Sequence, residues 1–355
     1  MVDIEKFSGQ LIDKACSLKA TDIHIVPRKK DAAIHFRIGF DIIQMLTISK
    51  MVCERLISHF KFIAQMDIGE KRRPQNGALT LQTIAGDVNI RLSTLPTVFD
   101  ESLVIRIFLE QPVETPEELS LFPSAAKKLL SFLQHTHGLI IFTGPTGSGK
   151  TTTLYSLLDY LKKHFRRSVI TLEDPVERKN ENMLQVQVNE KAGITYPLGL
   201  KAILRHDPDV IMVGEIRDEE TAHIAIRAGL TGHLVLTTMH TRDANGAIYR
   251  LLEFGVSISE IEQTLIAIAA QRLVELVCPF CGADCSPYCK KLRKRNRLGV
   301  YELLYGKPLN AAIQKAKGAE CEVDYVKLKD VIKKGIALGY LHPQSYKQWV
   351  YEYEA

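Results

Sequence analysis

One short stretch constrains the fold of this chain more than any other: Gly144-Pro145-Thr146-Gly147-Ser148-Gly149-Lys150-Thr151. It matches the phosphate-binding loop, in which Lys and Thr directly follow the second of two spaced glycines. Apolar residues at 139–142 precede the loop, and leucines recur at helical spacing through residue 161. We therefore predict a buried strand, the loop and a helix in that order. In this context backbone N–H groups can close around phosphate oxygens, at the positive end of the helix dipole.

The residue types in the loop predict how a nucleotide is held. Lys150 is placed to reach the β- and γ-phosphates, and the Thr151 hydroxyl is placed to ligate Mg²⁺. The alternative is a glycine-rich turn with a chance lysine, and the flanking elements argue against it. The sequence thus predicts ATP and Mg²⁺ as cofactors. The predicted ATP-binding residues are Gly144, Pro145, Thr146, Gly147, Ser148, Gly149, Lys150, Thr151 and Thr152.

Length and composition limit what the rest of the chain can be. The chain has 355 residues, 46% hydrophobic and 25% charged, which indicates a globular protein of two domains. No apolar run approaches the roughly 18 residues that span a membrane, and the N-terminus lacks the apolar core of a signal peptide. We therefore expect a cytoplasmic protein. The net charge of +5 is too small on its own to predict nucleic-acid binding.

The first part of the chain, residues 1–109, is predicted to form a small α+β domain. Apolar residues recur with helical spacing over 5–20, and a second helix is expected over 49–66. Residues 110–118 then bring two prolines and four acidic residues without periodicity, so we predict a linker over 110–120. Alternating polar and apolar residues predict strands over 21–27, 33–38, 77–82, 88–92 and 102–108.

Residues 121–355 are predicted to form an α/β domain with a helical tail that bears cysteines. Continuously apolar strands alternate here with helices, which indicates a mostly parallel sheet covered on both faces. We expect the last helix before the cysteines to span 258–271. The other predicted elements are strands over 168–172, 210–213 and 234–238 and helices near 197–206 and 218–229.

Hydrolysis of a nucleotide also needs a carboxylate that supports the metal ion. The apolar strand 210–213 runs directly into Gly214 and Glu215. A carboxylate at the end of a strand beside the phosphate loop fits an acid that holds the Mg²⁺ shell. The alternative is that Glu215 caps the helix that follows.

A second acidic group closes the strand predicted over 168–172. It consists of Glu173, Asp174 and Glu177, on a turn whose backbone is fixed by Pro175. One of these carboxylates is predicted to be the general base that activates water. The alternative is a solvated strand end without a catalytic role.

Two histidines bracket the strand predicted over 234–238. His233 and His240 are seven residues apart, so in extended backbone they point to opposite faces and are not expected to share a metal ion. His240, at the end of the strand, is predicted to sense the γ-phosphate, and His233 is predicted to be structural.

Four motifs in a fixed order give the chain a specific resemblance. They are the phosphate loop, Thr-Leu-Glu-Asp-Pro-Val-Glu at 171–177, Asp-Pro-Asp-Val-Ile-Met-Val-Gly-Glu-Ile-Arg-Asp at 207–218 and Thr-Gly-His-Leu-Val-Leu-Thr-Thr-Met-His-Thr at 231–241. Shorter matches occur at 22–27, 73–77, 91–96 and 271–273. Together they resemble the secretion (traffic) ATPases, the family that powers type II secretion, type IV pili and DNA-uptake pseudopili. The resemblance covers about residues 15–305.

This resemblance implies a RecA-like P-loop ATPase core with a smaller, PAS-like N-terminal domain. By position, Glu177 matches the acid that activates water, Glu215 matches the Walker-B acid, and His233 and His240 match the His-box pair. Members are ring-shaped hexamers in which arginines of the N-terminal domain reach the nucleotide. Arg91 and Arg106 match those arginines, and the alternative is that they merely cover the sheet surface. The implied catalytic set is Glu177, Glu215, Lys150, Arg91, Arg106 and His240.

The cysteines suggest a second metal site. Cys278 and Cys281 form a C-x₂-C knuckle, and Cys285 and Cys289 follow at short spacing. Four thiolates at such spacing predict a structural Zn²⁺ site, with free thiols as the alternative. Longer family members carry two C-x₂-C pairs that are further apart, so this cluster is a compressed version.

A basic run at 290–297 follows the cysteines and holds six Lys or Arg residues. A solvated loop is the first interpretation, and contact with an anionic membrane surface or an acidic partner is the second. Direct nucleic-acid binding is not expected, because no aromatic residues interleave the charges.

The resemblance implies an ATP-hydrolysing motor that assembles a pilus-like machine at the cytoplasmic membrane. We expect no additional N-terminal domain, since the motor motifs begin near Thr21, and this length and the compact cysteines favour the competence branch, used in DNA uptake. The implied partners are a homo-hexamer and a polytopic inner-membrane platform protein, with the motor bound peripherally at the inner face of the membrane. A retraction or conjugation-type motor and an ATP-binding scaffold with little turnover remain alternatives. Cargo and ring symmetry stay open.

Overall fold

The computed structural model describes residues 3–39, 41–84, 86–109, 114–282, 285–286, 289, 293 and 295–350. The chain forms two units, one of residues 1–112 with 278–296 and the other of residues 113–277 with 297–355. Residues 278–296 thus group with the first unit, although the residues before and after them in the chain belong to the second. No helix in the described part of the chain is both long enough and apolar enough to span a membrane.

The first unit is an antiparallel six-stranded sheet with two helices on one face. The strand order is β3-β2-β1-β6-β5-β4. The alternation predicted for its strands places apolar residues towards the helices and polar ones on the open face. Its elements are α1 (Ile4–Ser17), β1 (Asp22–Pro27), β2 (Asp31–Ile38), β3 (Asp41–Ser49), α2 (Lys50–Ile63), β4 (Gln75–Thr83), β5 (Gly86–Pro96) and β6 (Glu101–Leu109).

One ion pair lies inside this unit. Lys61 Nζ on α2 lies 3.0 Å from both carboxylate oxygens of Glu101, and the two side chains are 1% and 3% exposed. The same ammonium donates to the Glu70 carbonyl over 2.7 Å. A buried charge is tolerated only when it is paired and hydrogen-bonded, so these contacts fix the loop before β4 against the start of β6.

The second unit is a seven-stranded sheet in the order β13-β12-β7-β11-β10-β8-β9. All neighbouring strands run parallel except β13, which is antiparallel to β12. Its elements are α3 (Pro116–Leu119), α4 (Pro123–Phe132), β7 (Gly138–Thr143), α5 (Lys150–Phe165), β8 (Val169–Glu173), β9 (Leu184–Gln187), α6 (Tyr196–Ile203), β10 (Val210–Val213), α7 (Glu219–Leu230), β11 (Leu234–Met239), α8 (Ala244–Glu253), α9 (Ile258–Thr264), β12 (Leu265–Glu275), β13 (Arg297–Tyr305), α10 (Gly306–Ala316), α11 (Leu328–Ala337) and α12 (Gln344–Trp349).

Helices cover both faces of this sheet, as its continuously apolar strands predict. Ile140 and Phe142 of β7 pack on the side of α4 and α5, whereas Leu139 and Ile141 pack on the side of α6, α7 and α8. Successive residues of a strand point to opposite faces, so a strand covered on both sides must be apolar throughout. The predicted α/β class with a smaller α+β unit is confirmed.

The helix predicted over 258–271 is wrong in its second half. The helix α9 ends at Thr264, and residues from Leu265 onward form β12, between β7 and β13. The run is apolar on every side, and such a run does not distinguish a buried helix from a buried strand. Part of the predicted linker is also ordered, since Thr115 and Glu118 form a capping box for α3. Residues 110–113 lie outside the described residues.

Candidate nucleotide-binding site

The phosphate loop lies between the end of β7 and the start of α5. Gly144 adopts φ +149, and a Cβ there would lie 2.5 Å from the Gln271 carbonyl oxygen, so only glycine fits. Gly149 is the N-cap of α5 with φ +85 and offers no side-chain cap. The first N–H groups of this 16-residue helix therefore remain available to an anion, as the sequence predicts.

Lys150 is folded back on the loop that precedes it. Its Nζ donates to the carbonyls of Gly144 and Pro145 over 2.7 and 3.1 Å. Burial lowers the pKa of Lys150 to about 8, and Arg272 adds to this effect, whereas Glu215 and Glu177 oppose it. Phosphate oxygens would favour the charged form of Lys150, because they bring negative charge to a largely buried ammonium.

Glu215 is held by Arg217 and His240 at the end of β10. Arg217 Nε donates to one carboxylate oxygen over 2.7 Å, and His240 Nε2 lies 3.3 Å from the other. Arg217 also lies 3.8 Å from Asp174. Burial, and after it the charge of Lys150, lowers the pKa of His240, while Glu215 opposes both. Residues from the ends of β7, β10 and β11 therefore form one charged cluster.

The three acids predicted as candidate bases have different surroundings. Glu173 is buried and accepts hydrogen bonds from the hydroxyls of Tyr155 and Thr171, over 2.6 and 2.7 Å. It therefore serves as a structural acceptor between α5 and β8. Asp174 is 44% exposed and faces Arg217. Glu177 acts on the pKa of Lys150, which places it within electrostatic reach of the phosphate loop.

The two histidines lie at opposite ends of β11. His240 belongs to the charged cluster, whereas His233 precedes the strand, and its Nδ1 lies 3.1 Å from the Ala228 carbonyl. That contact ties the strand to the end of α7. The structure places the two imidazoles at opposite ends of the strand.

Arg91 and Arg106 belong to the first unit and face each other on β5 and β6. Arg106 Nε donates to Asp22 over 2.9 Å, and the Arg91 guanidinium lies 4.7 Å from the centre of the Phe108 ring. Asp22 is 5% exposed and also lies 3.6 Å from Arg37. The two predicted arginines therefore lie together on the open face of the sheet.

Two polar residues of β12 support the phosphate loop, and the predicted site did not include them. Arg272 donates to the carbonyls of Gln271 and Arg242, and so bridges β12 to the segment after His240. Gln271 Nε2 lies 3.0 Å from where a Cβ of Gly149 would be. Both side chains are less than 5% exposed. Their signal in the sequence is a pair of polar residues inside an apolar run.

The four clustered cysteines come together as predicted. The Sγ atoms of Cys278, Cys281, Cys285 and Cys289 all lie within 4.8 Å of one another, and three of the pairs are 3.3 to 3.6 Å apart. Tetrahedral Zn²⁺ with Zn–S bonds of about 2.3 Å places its ligands about 3.8 Å apart. Backbone N–H groups of Cys281 and Phe280 lower the pKa of Cys278 to about 6, which favours the thiolate. The donor set thus fits zinc. Lys290, Lys291, Leu292 and Lys294 of the basic run lie outside the described residues.

Comparisons with known proteins identify the family of this chain. The family model described as "Type II/IV secretion system protein" matches residues 2–342. The chain is 61% identical to competence protein ComGA of Bacillus subtilis (strain 168), over 99% of each chain, and 43% identical to ComGA of Halalkalibacterium halodurans, over 98% of this chain and 99% of that one. It is 42% identical to the type IV pilus assembly ATPase PilB of Thermus thermophilus, over 90% of this chain and 35% of that protein.

Solved structures share the fold. The Legionella pneumophila ATPase DotB superposes with a TM-score of 0.75 at 20% identity, over 97% of this chain and 95% of that one. The pilus retraction motor PilT with bound ADP superposes with a TM-score of 0.69 at 24% identity, over 97% of this chain and 96% of that one.

Proposed function

This chain belongs to the type II/IV secretion system protein family, and from that membership we propose that it is an ATP-hydrolysing motor for competence. The motor assembles a pseudopilus-like machine that serves DNA uptake. The observation that carries this proposal is the 61% identity to Bacillus subtilis ComGA over 99% of both chains.

The phosphate loop and the start of α5 are proposed to bind the triphosphate. Lys150 would exchange its carbonyl acceptors for phosphate oxygens, and the backbone N–H groups of residues 146–149 would donate to the phosphates. Thr151 and Glu215 would hold Mg²⁺, directly and through its water shell respectively. When bound, Mg²⁺ supplies positive charge that neutralises the phosphates in the transition state.

Glu177 is proposed as the base that orients and deprotonates the attacking water. Glu177 matches by position the acid that activates water, and its charge acts on the pKa of Lys150 in the phosphate loop. Glu173 is buried and accepts from Tyr155 and Thr171, which fits a structural role better. His240 contacts Glu215 and would report the state of the γ-phosphate to it. Arg91 and Arg106 would supply positive charge to the nucleotide within a ring of six chains.

The assembly is proposed to be a homo-hexamer that works on a polytopic membrane platform from the cytoplasmic face. Chains of this family share the task of a secretion or pilus machine, which needs a membrane partner to receive the motion. The cysteine cluster would hold a structural Zn²⁺, because its four donors already have nearly tetrahedral spacing.

Complementation tests this function. In a Bacillus subtilis strain that lacks ComGA, the wild-type chain should restore transformation, and Glu177→Gln should abolish it while still binding ATP. Glu181→Gln is the matched control, since Glu181 is exposed and outside the proposed site. If Glu177→Gln restored transformation as well as the wild type, the chain would be a nucleotide-binding scaffold and the motor proposal would fail.

A further inference from the structure

One end of the sheet in the first unit carries a surface that the nucleotide chemistry does not use. Two turns lie there, 28–30 between β1 and β2 and 97–100 between β5 and β6. The start of α2 and the loop 64–74 before β4 lie at the same end. We call this surface the basic rim, and it consists of Arg28, Lys29, Lys30, Lys50, Lys71, Arg72 and Arg73 with the apolar Met51, Val98 and Phe99.

The strand register and a shared cavity bring these segments together. Asp31 pairs with Ser49, which places the first turn beside the start of α2. The turn at 97–100 closes on itself through a hydrogen bond from Thr97 N to the Asp100 carbonyl, over 2.8 Å. A small cavity between the segments is lined by Pro27, Lys50, Lys71 and Phe99, among others.

The basic rim is anchored to the core of the unit. The buried Lys61 binds Glu101, which directly follows the turn at 97–100, and also the carbonyl of Glu70, which directly precedes Lys71. Both halves of the rim are therefore attached to one ammonium group. The surface is a fixed feature of the fold.

Apolar side chains at this rim are unusually exposed. Val98 is 95% exposed, Met51 68% and Phe99 48%. Single exposed apolar residues are ordinary, but three of them among seven exposed cations form a surface of mixed character. Val98 protrudes at the tip of the turn, and Phe99 beside it is half exposed and also lines the small cavity, so both side chains are placed to enter another phase.

The charge of the rim is predominantly positive. All seven cations are exposed. Acidic residues at this end mostly accept hydrogen bonds from the backbone of their own turns: Asp100 from Glu101 N, Glu70 from Arg72 N and Asp67 from Gly69 N. These acids therefore stabilise the turns, and among the cations Arg72 lies 3.8 Å from Glu70 and Arg28 donates to Gln44.

We propose that the basic rim binds an anionic phospholipid surface. Val98 and Phe99 enter the interface between headgroups and acyl chains, and the surrounding lysines and arginines lie at the level of the phosphates. Protruding apolar side chains encircled by cations are the combination that peripheral membrane binding uses. This contact would attach the proposed motor to the membrane. The biological purpose of the contact rests on the proposed function, but lipid binding itself does not, since it needs no hydrolysis.

Sedimentation with vesicles tests the proposal on the full chain. Vesicles with about 30% phosphatidylglycerol in phosphatidylcholine should bind the protein, pure phosphatidylcholine should not, and binding should weaken as salt is raised. Lys29→Glu with Lys30→Glu should reduce partitioning about tenfold or more. Val98→Ser with Phe99→Ser should reduce it by a similar factor, and ATP binding should be unchanged in both double variants.

Matched controls lie at the opposite end of the same sheet. Ile84 is 92% exposed at the turn between β4 and β5, so Ile84→Ser removes an equally exposed apolar tip. Lys14 and Lys19 are exposed near that end, so their double change to Glu has the same effect on net charge. Both controls should bind vesicles like the wild type.

Three outcomes would overturn the proposal. One is equal binding to neutral and anionic vesicles, and another is rim variants that bind like the wild type. The third is a Val98→Ser, Phe99→Ser protein that keeps its lipid binding but loses its oligomeric mass by light scattering. That result would assign the rim to contact between copies of the chain. Each variant should also have a melting temperature close to that of the wild type, which shows that a change in binding or mass is not caused by misfolding.

Discussion

The guanidinium of Arg217 donates to the carboxylate of Glu215 over 2.7 Å, at the carboxyl end of β10. Because Glu215 is mostly buried and is also approached by His240, its negative charge is balanced by side chains of this chain. In its proposed role of holding the Mg²⁺ shell, Glu215 is thus oriented by contacts within this chain. This arrangement gives the first prediction.

Glu215→Gln should remove the effect of Mg²⁺ on nucleotide binding and hydrolysis. ATP hydrolysis should fall by about a hundredfold or more, because the variant cannot hold the charge of the metal shell. Binding of ATP in the presence of EDTA should change little. Fluorescent-nucleotide titrations with and without Mg²⁺ measure the difference. Glu219→Gln is the control, since Glu219 is 74% exposed in the first turn of α7. An unchanged Mg²⁺ dependence in Glu215→Gln would contradict the assignment.

Nucleotide binding should take up a proton in alkaline solution. The pKa of Lys150 is about 8 in the structure, lowered mainly by burial, and phosphate oxygens should raise it. Between about pH 8 and 10 binding therefore charges a neutral lysine, and affinity should fall as the pH rises. Below about pH 8 the lysine is already charged and the linkage disappears.

Calorimetry in two buffers with different ionisation enthalpies measures this uptake. At about pH 9 it should approach one proton per site, and Lys150→Met should abolish it. Release of a proton at that pH, or an uptake that Lys150→Met leaves intact, would show that Lys150 does not contact the phosphates.

The buried Lys61–Glu101 pair should matter for stability far more than an exposed pair of similar length. Lys61→Met leaves a buried carboxylate without its cation and should lower the free energy of unfolding by about 3 to 5 kcal/mol. Lys61→Met with Glu101→Leu should recover most of that loss. The first transition of a urea unfolding curve measures the free energy of unfolding for both variants.

The control for this comparison is the Lys201–Glu220 pair, which spans 2.8 Å with both side chains more than half exposed. Lys201→Met should cost less than about 1 kcal/mol. Similar losses for Lys61→Met and Lys201→Met would mean that the first pair is hydrated in solution.

Protein purified without chelators should contain about one zinc per chain. Cys281→Ser should lose the metal, because it removes one of four donors. Cys53→Ser should retain it, since Cys53 is buried in the first unit, where burial raises its pKa to about 11. Elemental analysis measures both. Equal zinc content in the two variants would place the metal elsewhere.

The sequence was most informative where structure is local. The loop at 144–151 predicts its own strand and helix, because the glycines, Lys150 and Thr151 are contiguous. Glu215 and His240 could be placed near it because parallel strands end at the same edge of a sheet. The strand β3 was missed, and its alternation is weak because it is an edge strand with six of its nine residues exposed.

Other features depend on contacts between distant residues. The strand character of β12 comes from its neighbours β7 and β13, and its apolar residues 265–270 do not reveal them. Arg272 meets the segment after His240 only once both strands are in place. The basic rim consists of four segments spread over about seventy positions of the chain, so no local sequence pattern predicts it.

The most direct test of the motor proposal is ATP hydrolysis by the purified chain, measured with and without Mg²⁺ alongside the mass from light scattering. We expect turnover that requires Mg²⁺, occurs in a species of hexamer mass and is lost in Lys150→Ala. A monomer that binds ATP without hydrolysing it, at every protein concentration tested, would contradict the proposed motor.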